Sequence, residues 1–328
     1  MLMATLLHPH RTNDYHEALA VFAALGAIWV LVLVVLGAFT TSIGAGMAFP
    51  DWPLSNGSLN PAGWLDNVAM FAEHAHRLSA SVMSLVTLIL AVGLWRCEAR
   101  AWLRRLGYCA VALVLAQSLV GGLRVLLDRQ QVEWVNTSGG QLFAMLHAGL
   151  AQLFVCVLIA IAVACSRPWR RGGVATNAAM RRAGLGCCAL LFVQLAVAAV
   201  MRHSGAGLAI ATFPFASADG RWLPPDWDFR VGIHFAHRVL VLPIVAASGW
   251  FCLMIYRNAA TSLAMRLGSA ALIGLLILQI LLGASIIWTG RSAEMTTGHV
   301  LIGALTLAVT FWLTWVMHRD VIEQRYSP

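Results

Sequence analysis

Six histidines and one glutamate stand inside long apolar runs of this 328-residue chain: His74, His76, His147, His234, His237, His299 and Glu73. Ionisable side chains in a membrane interior are costly, so each is a functional suspect. Neutral imidazoles offered in pairs from facing helices of a four-helix bundle ligate haem iron axially. Zinc also accepts histidine, but it wants four ligands, or three plus water, and no cysteine or aspartate cluster accompanies these. A lone helical histidine is more often a hydrogen-bonded core residue, and His74 is read that way. Glu73 precedes His76 by three residues, so the two share a helix face and the carboxylate should lie beside whatever His76 ligates. The plainer role for Glu73 is to satisfy a buried backbone group or the neighbouring Arg77. Arg77 and Arg238 directly follow His76 and His237, which turns them about 100° around the helix. They are candidates to hold haem propionates, or to snorkel to the membrane surface.

The elements that must position these groups follow from composition. Hydrophobic residues make up 60% of the chain and charged residues 11%. Soluble domains carry about a quarter charged residues and at most half apolar ones. A cytosolic enzyme, a disordered regulator and a secreted disulfide scaffold are therefore excluded, and no soluble stretch of domain size remains to bind a nucleic acid. A bilayer core about 30 Å thick takes roughly 20 apolar residues in helical form. Eight such runs occur, at 18–42, 68–95, 105–127, 142–165, 183–202, 231–256, 267–289 and 297–317. They are long and continuous, unlike the short alternating strands of a membrane barrel. The fold class is an all-α membrane protein.

All 22 basic side chains are arginine, and they are distributed unevenly. Arg11, the loops after the second, fourth and sixth runs, and Arg319 and Arg325 together place fourteen on one side, against six on the other. Positive charge collects in cytoplasmic loops, so both termini should be cytoplasmic. The longer loops at 43–67, 128–141 and 203–230 are then outside. The segment 1–17 holds Asp14 and Glu17, unlike an acidic-poor mitochondrial presequence, which points to a bacterial plasma membrane.

The chain also repeats itself. Ser42–Leu54 (SIGAGMAFPDWPL) matches His203–Phe215 (HSGAGLAIATFPF) at a shift of 161, and the same shift carries Ala75-His76-Arg77 onto Ala236-His237-Arg238 and Gly122 onto Gly283. His147 meets His299 at a shift of 152, which makes the 128–141 loop the longer of the two. Two tandem four-helix bundles are expected, related by a pseudo-twofold axis along the membrane normal, because an even number of spans gives both halves one orientation. The first half would cover 18–165 and the second 183–317. An arginine-rich cytoplasmic linker at 166–182 joins them, and 318–328 forms a tail. The repeat keeps four histidines, His76 with His147 and His237 with His299, but at the position of Glu73 the second half has His234. That asymmetry suggests one reactive and one supporting site.

These motifs, GAGMAFPDWPL, Glu73-x-x-His76-Arg77, His147 before AGLAQL, HSGAGLA, His237-Arg238 and His299 before VLIGAL, resemble in order and spacing the haem A synthase family of bacteria and mitochondria. The resemblance covers nearly the whole chain. It implies oxidation of the C8 methyl of haem O to a formyl group, giving haem A for cytochrome oxidase. On chemical grounds water is the expected oxygen source, trapping an oxidised methyl, and an oxygen-activating route through the iron stays open beside it. The resemblance further implies that His76 and His147 flank the substrate iron, that His237 and His299 ligate a permanent haem b, and that Glu73 is the catalytic carboxylate. The implied partners are the farnesyltransferase that makes haem O and the assembly factors of cytochrome oxidase. Many members carry cysteine pairs in the first and third outer loops. Here Phe49, Ser55, Ile210 and Ala216 occupy those places, and all seven cysteines lie in spans or on the cytoplasmic side. Two rival classes remain: a di-haem electron carrier using the same histidines without turnover, and a transporter. Glu73 speaks against the first. The clustering of polar groups at the outer ends, rather than at mid-membrane, speaks against the second.

Overall fold

A computed structural model describes residues 11–12, 14–132, 137–173 and 175–326. Residues 1–10 and 13 of the expected N-terminal segment, 133–136 of the 128–141 loop, 174 of the linker and 327–328 of the tail lie outside the described residues. Eight helices are long and apolar enough to cross a membrane. They are α1 (Glu17–Ser42), α2 (Val68–Cys97), α3 (Ala101–Leu126), α4 (Gly139–Cys165), α6 (Ala178–His203), the pair α7 (Phe229–Val239) and α8 (Val241–Arg257), α9 (Leu263–Trp288) and α10 (Ala293–Met317). A two-residue hairpin of β1 (Gln131–Val132) and β2 (Thr137–Ser138) precedes α4, and short helices α5 (Arg167–Arg171) and α11 (Arg319–Tyr326) follow α4 and α10.

The helices begin up to five residues before the apolar runs that predict them, because their first turns are polar and capped. Side chains of Asn67, Ser138, Asn177, Asp228, Ser262 and Ser292 each accept a backbone N–H of the first turn. Such caps satisfy donors that an apolar window does not register. At the other end of α1, Thr40, Thr41 and Ser42 stay helical by donating their hydroxyls back to the carbonyls of Leu36, Gly37 and Ala38. The sixth span alone is divided, at Leu240. Pro243 lies one turn on, where it has no N–H for the carbonyl of Val239 and its ring crowds that carbonyl.

Packing closes a ring in each half of the chain: α1 on α2, α2 on α3, α3 on α4 and α4 on α1, then α6 on α7 and α8, α8 on α9, α9 on α10 and α10 on α6. Between the rings, α1 meets α10, and α4 meets both α6 and α10. One apolar cluster centres on Phe154, Leu158 and Ile161 of α4, the other on Phe251, Ile255, Leu272 and Leu313. Over half of the most apolar stretch of α4 is buried, against 17% for α9, so α4 is the inner strut and α9 the least enclosed span.

The end that carries both described chain ends is tied by a buried ionic knot. Glu98, wholly buried, takes Arg100 Nε and Nη2 on its two oxygens at 2.9 Å each and Arg170 Nη2 at 2.9 Å. Arg100 reaches on to Glu323 at 3.1 Å and to the carbonyl of Ala164 at 3.0 Å. The rings of Trp102, Trp169 and Trp315 lie against one another beside it. Several arginines that read as a topology signal are thus structural. Burial alone would raise the Glu98 carboxyl, but the hydrogen bonds and charge of Arg100, with the charge of Arg170, hold it below the usual carboxylate range. Its contribution is therefore fully present above the unfolded value and lost as pH falls through the folded one. Glu98→Ala removes the buried carboxylate that Arg100 and Arg170 share and should cost about 3–5 kcal/mol. The expected readout is a lower detergent-solubilised melting temperature whose deficit against the native chain shrinks in acid.

Candidate functional site

The opposite end holds the candidate residues. Each repeated loop begins where a helix stops in the same way. Two residues beyond the last residue of α1 stands Gly44 (φ 71°) and two beyond that of α6 stands Gly205 (φ 69°), with Ala45 N–H on Thr40 O and Ala206 N–H on Met201 O, both at 2.9 Å. This is the helix-ending motif that needs a left-handed residue, which explains the glycine in SIGAG and HSGAG. Both loops then pass through a cis proline, at Trp52–Pro53 and Phe213–Pro214.

The loops are fastened by the residues around the histidines. Arg77 donates from Nη1 to the carbonyls of Asp51 (2.8 Å) and Leu54 (2.6 Å), and from Nη2 to Phe49 O (3.1 Å) and Glu73 Oε1 (2.6 Å). Glu73 Oε2 accepts the N–H of Phe49 at 3.0 Å. In the second half Arg238 reaches Ile210 O (2.9 Å), Phe215 O (3.3 Å) and His234 Nε2 (3.2 Å), and His234 Nδ1 faces the N–H of Ile210 at 3.2 Å. Glu73 and His234 hold equivalent posts. They are not equal, because a carboxylate accepts both bonds at once whereas a neutral imidazole has one acceptor nitrogen. Four of the five guanidinium donors of Arg77 go to this clasp. His74, read as a core histidine, is buried with Nδ1 on Ser55 Oγ at 3.0 Å and packs against Trp64.

The four repeated histidines occupy matching corners: His76 on α2 and His147 on α4, His237 on α7 and His299 on α10. The rings of His237 and His299 face each other with centroids 6.3 Å apart, inclined at 62°. His147 Nδ1 lies 3.1 Å from Gln117 O, and His299 Nδ1 lies 3.0 Å from Gln279 O. A ring that donates Nδ1–H to a carbonyl presents its Nε2 lone pair, the form in which imidazole binds a metal; at His299 that lone pair is met by the Gln279 amide nitrogen at 3.2 Å, which a metal would have to displace. His76 Nδ1 is buried with no hydrogen-bond partner among the described residues. Glycines make room for three of the rings. An added Cβ would come within 2.8 Å of His76 at Gly37, 3.0 Å of His147 at Gly121 and 3.1 Å of His299 at Gly283. Neutral, buried, paired imidazoles with an orphaned ring nitrogen fit axial ligation of a haem iron.

Sequence reasoning missed Gln117, Gln279 and also Gln194 of α6, whose amide donates to His237 O at 2.9 Å and lies 3.1 Å from His237 Nδ1. It also matched Gly122 with Gly283, whereas the glycine that meets His147 as Gly283 meets His299 is Gly121. The repeat advances by 162 residues here, not 161, and α3 and α9 begin and end at that same offset. The signal was present as glutamine followed four residues later by glycine in two apolar spans. Gly122 has its own task, since the indole of Trp52 lies where its Cβ would be.

Eight helices long enough and apolar enough to cross a membrane, with two pairs of histidines seated on opposite helices of their rings, describe a multi-pass membrane protein. The chain belongs to the family described as cytochrome oxidase assembly protein (COX15-CtaA), whose model matches residues 20–311. It is similar to the haem A synthase of Alkalihalophilus pseudofirmus, 23% identical over 93% of this chain and 99% of that one. The haem A synthase of Lysinibacillus sphaericus is 23% identical over 95% and 99%, and that of Staphylococcus carnosus 27% over 82% and 84%.

The clasp makes a prediction of its own. Arg77→Ala should free the loop from Phe49 to Leu54, read as faster amide hydrogen exchange at Phe49 with the rest of α2 unchanged. Arg77→Lys should restore only part of the protection, since an ammonium offers three donors for four bonds.

Proposed function

We propose that this chain is a haem A synthase, converting the C8 methyl of haem O to a formyl group. The near full-length likeness to proteins of that name carries the reading, and the paired imidazoles support it. In this reading His76 and His147 hold the substrate iron in the first half, 18–165, and His237 and His299 hold haem b in the second, 183–317, with 166–182 as the linker. The pseudo-twofold between the halves runs along the membrane normal, the histidine end faces outward and both termini are cytoplasmic in a bacterial plasma membrane. An outward alkaline-phosphatase fusion in the 217–220 turn should be active and a C-terminal one inactive; the reverse result overturns the orientation.

With water as the oxygen source, methyl to formyl releases four protons and four electrons. Haem b, held by His237 and His299, would supply a one-electron redox centre that passes these electrons one at a time to an oxidant outside the chain. The chain's own part is to hold the substrate between two fixed imidazoles, to cover it with the 43–67 loop, and to take up or relay a proton at Glu73. Glu73 is 4% exposed and shares a helix face with His76, so its carboxylate is screened from bulk water yet close to the ligand. Arg77 and Phe49 orient that carboxylate and balance its charge. Arg77 and Arg238, weighed as propionate holders, act in this reading chiefly as loop fasteners. The reaction draws its substrate from the farnesyltransferase that makes haem O and delivers its product to the assembly of cytochrome oxidase.

A second reading has a specific observation behind it: His234 stands at the same post as Glu73, so Glu73 could be a clasp alone. Glu73→His separates the two, because it installs an arrangement that the other half already carries and removes the carboxylate. Co-expressed with a haem O-producing farnesyltransferase in a host that makes no haem A, it should retain bound haem and lose haem A formation by about 10²–10⁴-fold. Undiminished haem A from Glu73→His would leave the clasp as the sole role of Glu73.

A further inference from the structure

Arg77 spends its donors on the loop, and a different guanidinium stands over the first-half histidines. Gly121 of α3 lies against the ring of His147, and Arg124 follows three residues later on the same face. That sets it about 5 Å nearer the 43–67 loop. Its Nη1 donates to Gly46 O at 3.2 Å, and the guanidinium lies so close to this glycine that a Cβ there would overlap it. In the ring of α1 to α4, α3 and α1 are opposite corners, as are α2 and α4. A side chain running from α3 to the loop after α1 therefore passes over the line from His76 to His147. Both imidazoles and Glu73 lie within reach of its charge. Asp128 does too, yet neither acid closes to an ion pair with Arg124, and among the described residues only Gly46 O takes one of its five donors. Arg202 of α6, fixed on Ala38 O and Ser42 Oγ at 2.9 Å each, adds a second cation nearby. The second half lacks this arrangement. The shift of 162 puts Ile286 at the post of Arg124, and an added Cβ at Gly207, the match of Gly46, would meet nothing within 4 Å.

We propose that Arg124 is a carboxylate subsite of the first half, taking a propionate of the substrate haem and so setting which edge of the macrocycle lies beside Glu73. This rests on the reading of the first half given under Proposed function. A part-buried cation without a paired acid favours an anion, and a guanidinium offers a carboxylate two parallel donors. The two propionates share one edge of the porphyrin, and the C8 methyl sits on the same pyrrole as one of them. A carboxylate held at Arg124 keeps that methyl on the loop side of the iron, the side on which Glu73 meets Phe49. The edge that bears the farnesyl chain then turns the other way, into the apolar interior of the ring. Arg77 and Arg124 thus divide the work: the first holds the loop, and the second holds the substrate beneath it.

The test uses the full-length chain in detergent, carrying His237→Ala and His299→Ala so that uptake reports on His76 and His147. Iron protoporphyrin IX and its dimethyl ester, which lacks the acids, are each titrated in and followed by the Soret band. Comparing the ratio of the two affinities between variants cancels any difference in micelle partitioning. Arg124→Leu should lower the preference for the diacid by about 10–100-fold, the worth of a hydrogen bond to a charged group, with ester binding unchanged. Arg124→Gln, closer in size and still able to donate to Gly46 O, should do the same where Arg124→Leu folds poorly. Arg124→Lys should keep part of the preference, as a point charge without the fork. With the diacid bound, the propionate bending band of the resonance Raman spectrum should shift in Arg124→Leu, which a merely structural role would not cause. A diacid preference that survives both Arg124→Leu and Arg124→Gln overturns the subsite and leaves haem binding standing. Loss of bound phosphatidylglycerol in Arg124→Leu with that preference intact would give the cation to a lipid headgroup, and equally overturns it. A folded chain that takes up neither porphyrin overturns the proposed function as well.

Discussion

A guanidinium at the end of an apolar helix has to find acceptors, and at Arg77 and Arg238 the acceptors are the carbonyls of the loop above. Everything at the histidine end depends on that requirement. Each arginine sits one residue beyond a candidate ligand, so tying the loop to the arginine also fixes the rotation of the helix that carries the histidine. The loop supplies Phe49 N–H or Ile210 N–H in return, and that donor selects what stands one turn before the arginine: a carboxylate in one half, an imidazole in the other. Fastening and chemistry are thus built from the same few side chains.

The two halves agree where they would grip a metal and differ where the grip is supported. The four histidines occupy the same corners, and the helix endings at Gly44 and Gly205 match in detail. The differences are Glu73 against His234 and the division of the sixth span at Leu240. Neither alters which imidazoles are presented. The first alters how the outer loop is held, which is where two sites with different duties would be expected to diverge.

Much of this was legible in the sequence because the bilayer demands uninterrupted apolar runs, and because costly ionisable groups stand out against them. All eight spans, the helix endings and the six intramembrane histidines follow from those two facts, and the internal repeat singles out four of the six. Helix starts were misplaced at positions such as Asn177 and Asp228, where a polar capped turn precedes the apolar run. The division at Leu240 carried a signal in Pro243, diluted within a run still long enough to cross. The glutamines were overlooked because an uncharged amide in a span attracts less attention than an ion, although its buried donors and acceptors need partners just as surely. Arg77 and Arg238 were seen, but the sequence could not show how close the loops come to them.

The change of repeat offset, from 161 before the third span to 162 within it, bears on how such a chain tolerates alteration. One residue added inside a helix swings every later side chain by about 100°, which would turn a histidine from its partner toward lipid. The extra residue instead lies between the paired spans, in the turn after α8 where α2 runs directly into Glu98, at the end remote from the histidines. That turn behaves as the slack in the chain. The copies have drifted in length here and, further, in the 128–141 loop, both places where the drift leaves the angular setting of every span untouched, so loop length between spans is the dimension in which variants of this fold can be lengthened or trimmed.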